Sequence, residues 1–147
     1  MAGKFFISYR RNDSAGFAGR VFDHLVLEFG RDLIFMDIDA IPLGIDFAEH
    51  LFKSVDECVA LLAIIGPDWV DAGDRRGGRR LDDADDYVRQ EIVAGLRRDI
   101  LVIPILVDGA AMPSASQLPE EMADLVRRSA LEVRHNSFSS DVKKLMV

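Results

Sequence analysis

The sequence predicts an α/β domain in which five parallel strands form a central sheet with helices on both faces. Five short apolar runs alternate with segments of helical periodicity, and these runs cover residues 4–9, 33–36, 58–65, 100–107 and 130–133. Strands that are apolar at nearly every position are typical of a parallel sheet buried on both faces. Sheets of this kind bind ligands at the carboxyl ends of their strands, so we expect a functional site there.

The first two helices have recognisable boundaries in the sequence. The first helix follows the first strand, with Ser14 as its expected N-cap and Gly30 at its end. Pro42-Leu43-Gly44 suits a tight turn after the second strand. Asp46 and Glu49 then have the spacing of a capping box, which predicts the start of the second helix.

The second half of the chain continues the alternation of strands and helices. Residues 58–65 are the longest apolar run and the expected central strand. Acidic residues precede a helix expected over residues 84–98, and negative charge favours a helix N-terminus. Pro104 lies inside the next strand, which requires a bulge or an unpaired donor there. A short helix over residues 119–128, an edge strand and a last helix from Phe138 complete the domain.

Size, charge and composition restrict the possible functions. A chain of 147 residues is expected to form a single domain over residues 1–147, which can be part of a longer protein. Its net charge of −7 argues against nucleic-acid binding. No apolar run approaches the roughly 18 residues of a membrane span, and no signal-peptide pattern precedes the first strand. With a single cysteine, Cys58, the chain is expected in the reducing cytoplasm.

Tyr87 and Glu91 form the most informative pair in the chain. They are four residues apart on a predicted helix, so they are neighbours on one helix face. A ring beside a carboxylate at the edge of the sheet can hold a flat, cationic ligand attached to a sugar. The pair therefore predicts a possible active site.

Motifs in order along nearly the whole chain resemble the Toll/interleukin-1 receptor (TIR) domain family. The matching segments are residues 6–13, residues 35–39 with Pro42-x-Gly44, residues 65–69, Tyr87-x-x-x-Glu91-Ile92 and residues 118–121. Tyr87-x-x-x-Glu91 is similar to the aromatic-x-x-x-Glu signature of NAD-consuming members. The pattern most resembles bacterial TIR domains and the TIR domain of the animal axon-degeneration NADase, which has Trp where this chain has Tyr87.

This resemblance implies a flavodoxin-like TIR fold and cleavage of the nicotinamide–ribose bond of NAD⁺. The expected products are nicotinamide and either ADP-ribose or a cyclic isomer, and no residue decides between hydrolysis and cyclisation. NAD⁺ would be the substrate, with no cofactor and no metal. The resemblance also implies activation by self-assembly with other TIR domains, a sensor domain outside this chain, and a role in bacterial immune or cell-suicide signalling.

The resemblance assigns specific residues to this reaction. Glu91 takes the catalytic role, since a carboxylate can stabilise an oxocarbenium-like ribose, and Tyr87 packs on a ring of the substrate. The expected substrate-binding residues are Ser8, Tyr9, Arg10, Arg11, Asp39, Ile41, Pro42, Gly44, Trp69 and Tyr87. The first four lie at the carboxyl end of the first strand, where ribose and pyrophosphate would lie, and the next four form a mobile wall over the dinucleotide.

Each of these residues also has a structural interpretation. Glu91 could be a solvated helix residue, and Tyr87 could be a rim aromatic that packs on the preceding loop. Arg10 and Arg11 could be surface ion-pair partners of Asp13 or of the acidic loop that includes Asp86. Trp69 could cover the end of the sheet or lie in an interface.

Two alternatives concern the whole chain. A non-catalytic TIR adaptor would recruit other TIR domains through the loop of residues 37–46 and would not need the Tyr87–Glu91 pair. A phosphoacceptor receiver domain has the same alternation of strands and helices, but it requires a lysine near the fifth strand that this chain lacks.

Overall fold

One parallel sheet of five strands runs through the computed structural model, which describes residues 4–36, 44, 46–73, 77–84, 86–98 and 100–146. The strands are β1 (Lys4–Ser8), β2 (Ile34–Met36), β3 (Cys58–Ile65), β4 (Leu101–Val107) and β5 (Leu131–Val133). Their order across the sheet is β2-β1-β3-β4-β5, and every pairing is parallel. The predicted fold class is confirmed.

In the described residues, four α-helices and several 3-10 helices lie between and after these strands. The α-helices are α1 (Arg11–Phe29), α2 (Phe47–Asp56), α3 (Tyr87–Arg97) and α4 (Phe138–Lys143). The 3-10 helices are Arg31–Leu33, Arg80–Asp82, Ala115–Gln117, Glu120–Arg127, His135–Ser137 and Lys144–Met146. Within the described ranges, no helix combines the length and apolar character that a membrane crossing requires.

The helices cover both faces of the sheet, and the alternation of side chains along each strand builds a separate core on each face. Leu61, Ala63 and Ile65 of β3 face a core shared with α2, α3 and the 3-10 helix Glu120–Arg127. Leu62 and Ile64 face the opposite core, which α1 and α4 complete. This alternation explains why β3 is apolar along nearly its whole length.

The strand order places a topological switch point between β1 and β3. The chain leaves β1 for β2 on one side of it and leaves β3 for β4 on the other. Ligand-binding crevices in open parallel sheets form outside the carboxyl ends of such strands. Ser8 ends β1 and Ile65 ends β3, so the residues after them border this position.

The predicted start of α1 is confirmed only in part, because a first helical turn precedes Ser14 and the regular helix continues beyond it. The helix begins at Arg11, because the carbonyl oxygen of Arg10 already accepts the backbone N–H groups of Asp13 and Ser14, each at 3.0 Å. Ser14 instead lies at a kink inside the helix, with φ −144° and ψ 25°. The predicted end is confirmed, since Gly30 follows the last turn with φ 95°.

Two further sequence signals have clear outcomes. Asp46 Oδ1 accepts the backbone N–H of Glu49 at 3.3 Å, which confirms Asp46 as a capping residue of α2. The bulge considered at Pro104 does not form. Pro104 pairs with Ala63 in an uninterrupted register, and β5 begins opposite Ile105.

Candidate functional site

Ser8 and Glu91 meet inside the protein at the carboxyl end of β1. Ser8 Oγ donates a hydrogen bond to Glu91 Oε1 at 2.9 Å. Glu91 is only 5% exposed and Ser8 has no exposed surface. A buried carboxylate is costly unless hydrogen bonds compensate it. Glu91 is therefore not a solvated surface acid, and the structural interpretation of that residue is wrong.

Tyr87 lies at the rim of the same region. It is the first residue of α3, and 52% of its surface is exposed. Glu91 follows about one helical turn later and is buried. The helix thus presents an accessible ring one turn before an enclosed carboxylate.

Arg10 is buried and engaged with an acid at the start of α3. Its Nη1 and Nη2 donate to Asp86 Oδ1 at 3.0 Å and to Asp86 Oδ2 at 2.9 Å, which is a two-pronged contact. The side chains are only 3% and 9% exposed. The alternative of an ion pair with a nearby acid is correct for Arg10, but the pair is internal rather than on the surface.

Asp86 belongs to the acidic loop that the sequence offered as a partner of Arg10, but it was not among the expected site residues. Besides holding Arg10, its Oδ2 accepts the backbone N–H of Arg89 at 3.1 Å and so caps α3. An acid directly before a helix start is a recognisable capping signal. The long-range partner of this acid, however, has no local signature.

Asp13 joins the start of α1 to the exit of β3. Its carboxylate accepts the backbone N–H groups of Gly66 at 2.8 Å and Asp68 at 2.7 Å. Burial raises the pKa of Asp13, although these two hydrogen bonds oppose that rise. A Cβ on Gly66 would lie 2.5 Å from Asp13 Oδ1. The contact therefore requires glycine at this position.

Trp69 does not lie at the surface. It is fully buried, with 0% exposed surface, in the core that α2 and α3 share. The suggested role as an interface residue is wrong, because the side chain has no exposed surface, whereas the suggested cover over the sheet end stays a prediction. In the described part of the chain its indole Nε1 finds no hydrogen-bond partner.

The other expected site residues fall into two groups. Tyr9 is half-buried directly after β1, and Gly44 lies in an exposed turn with φ 83°. Asp39, Ile41 and Pro42 are outside the described residues. Arg11 begins α1, but its side chain is outside them as well.

Of the expected site residues, the structure brings Ser8, Glu91 and Arg10 into one buried network with the first turn of α3, and Tyr87 lies beside it.

This network can hold one carboxylate in a fixed position at the ligand-binding end of the sheet. Ser8 fixes one oxygen of Glu91, and the Asp86 cap fixes the first turn of the helix from which Glu91 extends. A carboxylate in a low-dielectric setting interacts strongly with positive charge that develops nearby. The arrangement is suited to stabilising a cationic transition state.

Comparison with known proteins points to one family. The model of the family described as "TIR domain" matches residues 5–146. The NAD(+) hydrolase sarm1 of Drosophila melanogaster is 27% identical over 142 residues, which is 95% of this chain and 10% of that protein. The NAD(+) hydrolase SARM1 of Danio rerio is 25% identical over 143 residues, which is 96% of this chain and 18% of that protein. The chain thus spans less than a fifth of the length of either relative.

A solved structure shows the same fold. The TIR domains in the structure of the activated Roq1 resistosome, which recognises the pathogen effector XopQ, superpose on this chain with a TM-score of 0.70. The superposition covers 99% of this chain and 98% of that one, at 15% sequence identity. This likeness confirms the predicted TIR fold.

Proposed function

The chain belongs to the TIR domain family, and from this premise we propose that it is an NAD⁺ glycohydrolase that cleaves the bond between nicotinamide and ribose. The observation that supports this most strongly is the buried Glu91 carboxylate, held by Ser8 at the carboxyl end of β1. The similarity to NAD(+) hydrolases of Drosophila melanogaster and Danio rerio supports the same activity.

The reaction requires little from the protein besides this carboxylate. Nicotinamide is attached to ribose as a cationic ring and leaves as a neutral molecule, so no general acid is needed to protonate it. Most glycosidases, by contrast, use a pair of carboxyl groups. The remaining requirement is to stabilise an oxocarbenium-like ribose, and the negative charge of Glu91 does so when it lies near the ribose hydroxyls.

Ser8 and Tyr87 have complementary roles in this proposal. Ser8 has no exposed surface and donates to Glu91, so it orients the carboxylate rather than touching the ribose. Tyr87 is exposed at the rim and packs on a ring of the substrate or of the leaving nicotinamide. Tyr9, Gly44 and the expected residues Asp39, Ile41 and Pro42 border the dinucleotide.

We propose that activity depends on assembly with other TIR domains, as a homo-oligomer or filament. The Roq1 resistosome is a structure in which TIR domains are part of an assembly. A sensor domain outside this chain would then supply the trigger, in cytoplasmic immune or cell-suicide signalling of a bacterial type. The second product is ADP-ribose or a cyclic isomer.

The test is nicotinamide release from NAD⁺, followed by chromatography. The domain would be assayed in dilute solution and clustered through a terminal tag on lipid vesicles, beside Glu91→Gln. Glu28→Gln, an exposed acid of α1, is the matched control. We expect release from the clustered wild type and from Glu28→Gln, and none from Glu91→Gln.

A different result would favour the adaptor function. If the folded, clustered wild type releases no nicotinamide, the enzyme proposal is wrong. The loop of residues 37–46 would then be tested for recruitment of other TIR domains.

A further inference from the structure

Arg10 and Asp86 connect the end of β1 to the start of α3 through a buried ion pair. Both terminal nitrogens of Arg10 donate to the two oxygens of Asp86, at 3.0 and 2.9 Å. The exposed fractions of the two side chains are 3% and 9%. A planar guanidinium facing a carboxylate in this way fixes the relative orientation of its partners as well as their distance.

The same carboxylate also fixes the first turn of the helix. Asp86 Oδ2 accepts the backbone N–H of Arg89 at 3.1 Å. Tyr87 follows Asp86 directly, and Glu91 is five residues beyond it on the same helix. A displacement of Asp86 would therefore be transmitted to Tyr87 and to Glu91.

A second contact between the same two elements lies close by. Ser8 is two residues before Arg10, and its hydroxyl donates to Glu91 at 2.9 Å. The end of β1 thus contacts α3 at two points. Arg10 binds the helix cap, and Ser8 binds Glu91 about one turn further along the helix. Two such contacts set both the position and the rotation of the helix.

We propose that Arg10 and Asp86 are positioning residues that place Glu91, and Tyr87 beside it, for NAD⁺ cleavage. Arg10 acts through Asp86 and not by binding the phosphates of the substrate, because its two terminal nitrogens are already bound to Asp86 and its side chain is buried. This inference rests on the proposed function, since it assigns Glu91 the catalytic role.

The energetics of buried ion pairs agree with a positioning role. Desolvation of two buried charges can cancel their attraction, so such a pair adds little net stability compared with apolar residues of similar volume. Its geometry is nevertheless fixed. Misplacement of a catalytic group by about 1 Å can reduce a reaction rate by about a hundredfold.

Conservative substitutions separate positioning from capping and from substrate binding. Asp86→Asn retains a capping side chain of similar size but removes the charge, since Asn is as good an N-cap as Asp. Arg10→Lys retains the charge but loses the two-pronged contact. Asp82→Asn is the matched control, because Asp82 lies in the same loop and pairs with Arg79 at the exposed surface.

The first measurement is the kinetics of nicotinamide release by the clustered domain. For Asp86→Asn and Arg10→Lys we expect kcat to fall about tenfold or more, and any rise in KM for NAD⁺ from displacement of Tyr87 to be smaller than the fall in kcat. Asp82→Asn should match the wild type. If Arg10→Lys raises KM at constant kcat while Asp86→Asn is unchanged in both, Arg10 binds the substrate and the proposal is overturned.

The second measurement does not depend on activity. The side-chain carboxyl of Glu91 is observed by ¹³C NMR in the wild type and in Asp86→Asn, and is assigned by its loss in Glu91→Gln. Positioning requires the Glu91 resonance to move in Asp86→Asn and to stay in place in Asp82→Asn. If the Glu91 resonance does not move in a folded Asp86→Asn variant, the positioning proposal is overturned, whether or not any variant releases nicotinamide. Absence of nicotinamide release, taken alone, contradicts only the proposed function.

Discussion

The carboxylate of Asp13 occupies the space that a side chain on Gly66 would need. A Cβ built on Gly66 lies 2.5 Å from Asp13 Oδ1 and 2.6 Å from Oδ2. In return, the Gly66 backbone N–H donates to that carboxylate at 2.8 Å. The absence of a side chain at the exit of β3 thus allows the first turn of α1 to approach it closely.

Substitution of Gly66 should therefore lower stability through Asp13. Gly66→Ala displaces the carboxylate and breaks its hydrogen bonds with the backbone N–H groups of Gly66 and Asp68, so we expect it to lower the free energy of unfolding by about 2–3 kcal/mol. In an Asp13→Ala background the same change should cost at least about 1 kcal/mol less, because the two residues are in contact. Urea denaturation of the wild type, the two single variants and the double variant measures this coupling.

Gly16→Ala is the control for that experiment. Gly16 lies inside α1, and no neighbouring atom lies within 4 Å of the position that a Cβ would take there. Alanine at this position should be neutral or should stabilise the helix by up to about 1 kcal/mol. Purely additive effects of Gly66→Ala and Asp13→Ala would contradict the contact.

Substitution of Trp69 should show that its ring, and not its N–H group, stabilises the fold. Trp69→Ala removes a fully buried ring and is expected to cost about 3–5 kcal/mol. Trp69→Phe should lower the free energy of unfolding clearly less than Trp69→Ala, because Phe keeps most of the apolar contact. It also removes an indole N–H group that has no partner among the described residues. Since Trp69 is the single tryptophan, circular dichroism is the suitable probe. Equal costs for Phe and Ala would indicate a hydrogen bond to the indole.

The carboxylate of Asp141 should make the stability of the fold depend on pH in the acid range. The Ser137 hydroxyl at 2.7 Å and then the Arg134 backbone N–H at 3.0 Å lower the pKa of Asp141 below its ordinary 3.8. A carboxyl whose pKa is lower in the folded state than in the unfolded state stabilises the fold at any pH above its unfolded-state pKa. This contribution is lost as the pH falls through the folded-state pKa. Asp141→Asn should therefore melt below the wild type at neutral pH, and the difference should shrink below pH 3.8.

Asp13 provides an internal contrast to that result. Its pKa is raised by burial, so its ionised form opposes folding and protonation favours the folded state. The two acids thus shift stability in opposite directions as the pH falls. A difference between the wild type and Asp141→Asn that grows below pH 3.8 would contradict the assignment for Asp141.

Removal of the Tyr87 ring should change substrate affinity more than stability. Tyr87 is 52% exposed, so Tyr87→Ala should lower the free energy of unfolding much less than Trp69→Ala does. If the ring packs on the substrate, KM for NAD⁺ should rise about tenfold or more in Tyr87→Ala and stay near wild type in Tyr87→Phe. An unchanged KM in Tyr87→Ala would leave Tyr87 as a rim residue packed on the preceding loop.

The strands were predictable because burial on both faces makes each one a continuous apolar run. The same physics explains the limits at the site. Ser8 and Arg10 could be placed at the carboxyl end of β1, but their partners Glu91 and Asp86 are 83 and 76 residues away in sequence. A polar residue at a strand end has the same local pattern whether it contacts a ligand or another side chain.

The additional turn before Ser14 in α1 has a similar cause. Ser14 has the residue type of an N-cap, yet the carbonyl of Arg10 accepts the first N–H groups of the helix and starts it earlier. Trp69 shows the complementary limit. It stands at the start of a largely polar segment, but the turn held by Asp13 directs the ring into the core.

The two outermost strands of the sheet are short, since β2 and β5 have three residues each. Such brief edges offer few unpaired backbone groups to a strand from another molecule, which limits fibre-like growth. In the proposed assembly, copies would then bind through side chains on helices and loops. Such an assembly could be dismantled when its trigger disappears, whereas cross-β fibrils persist.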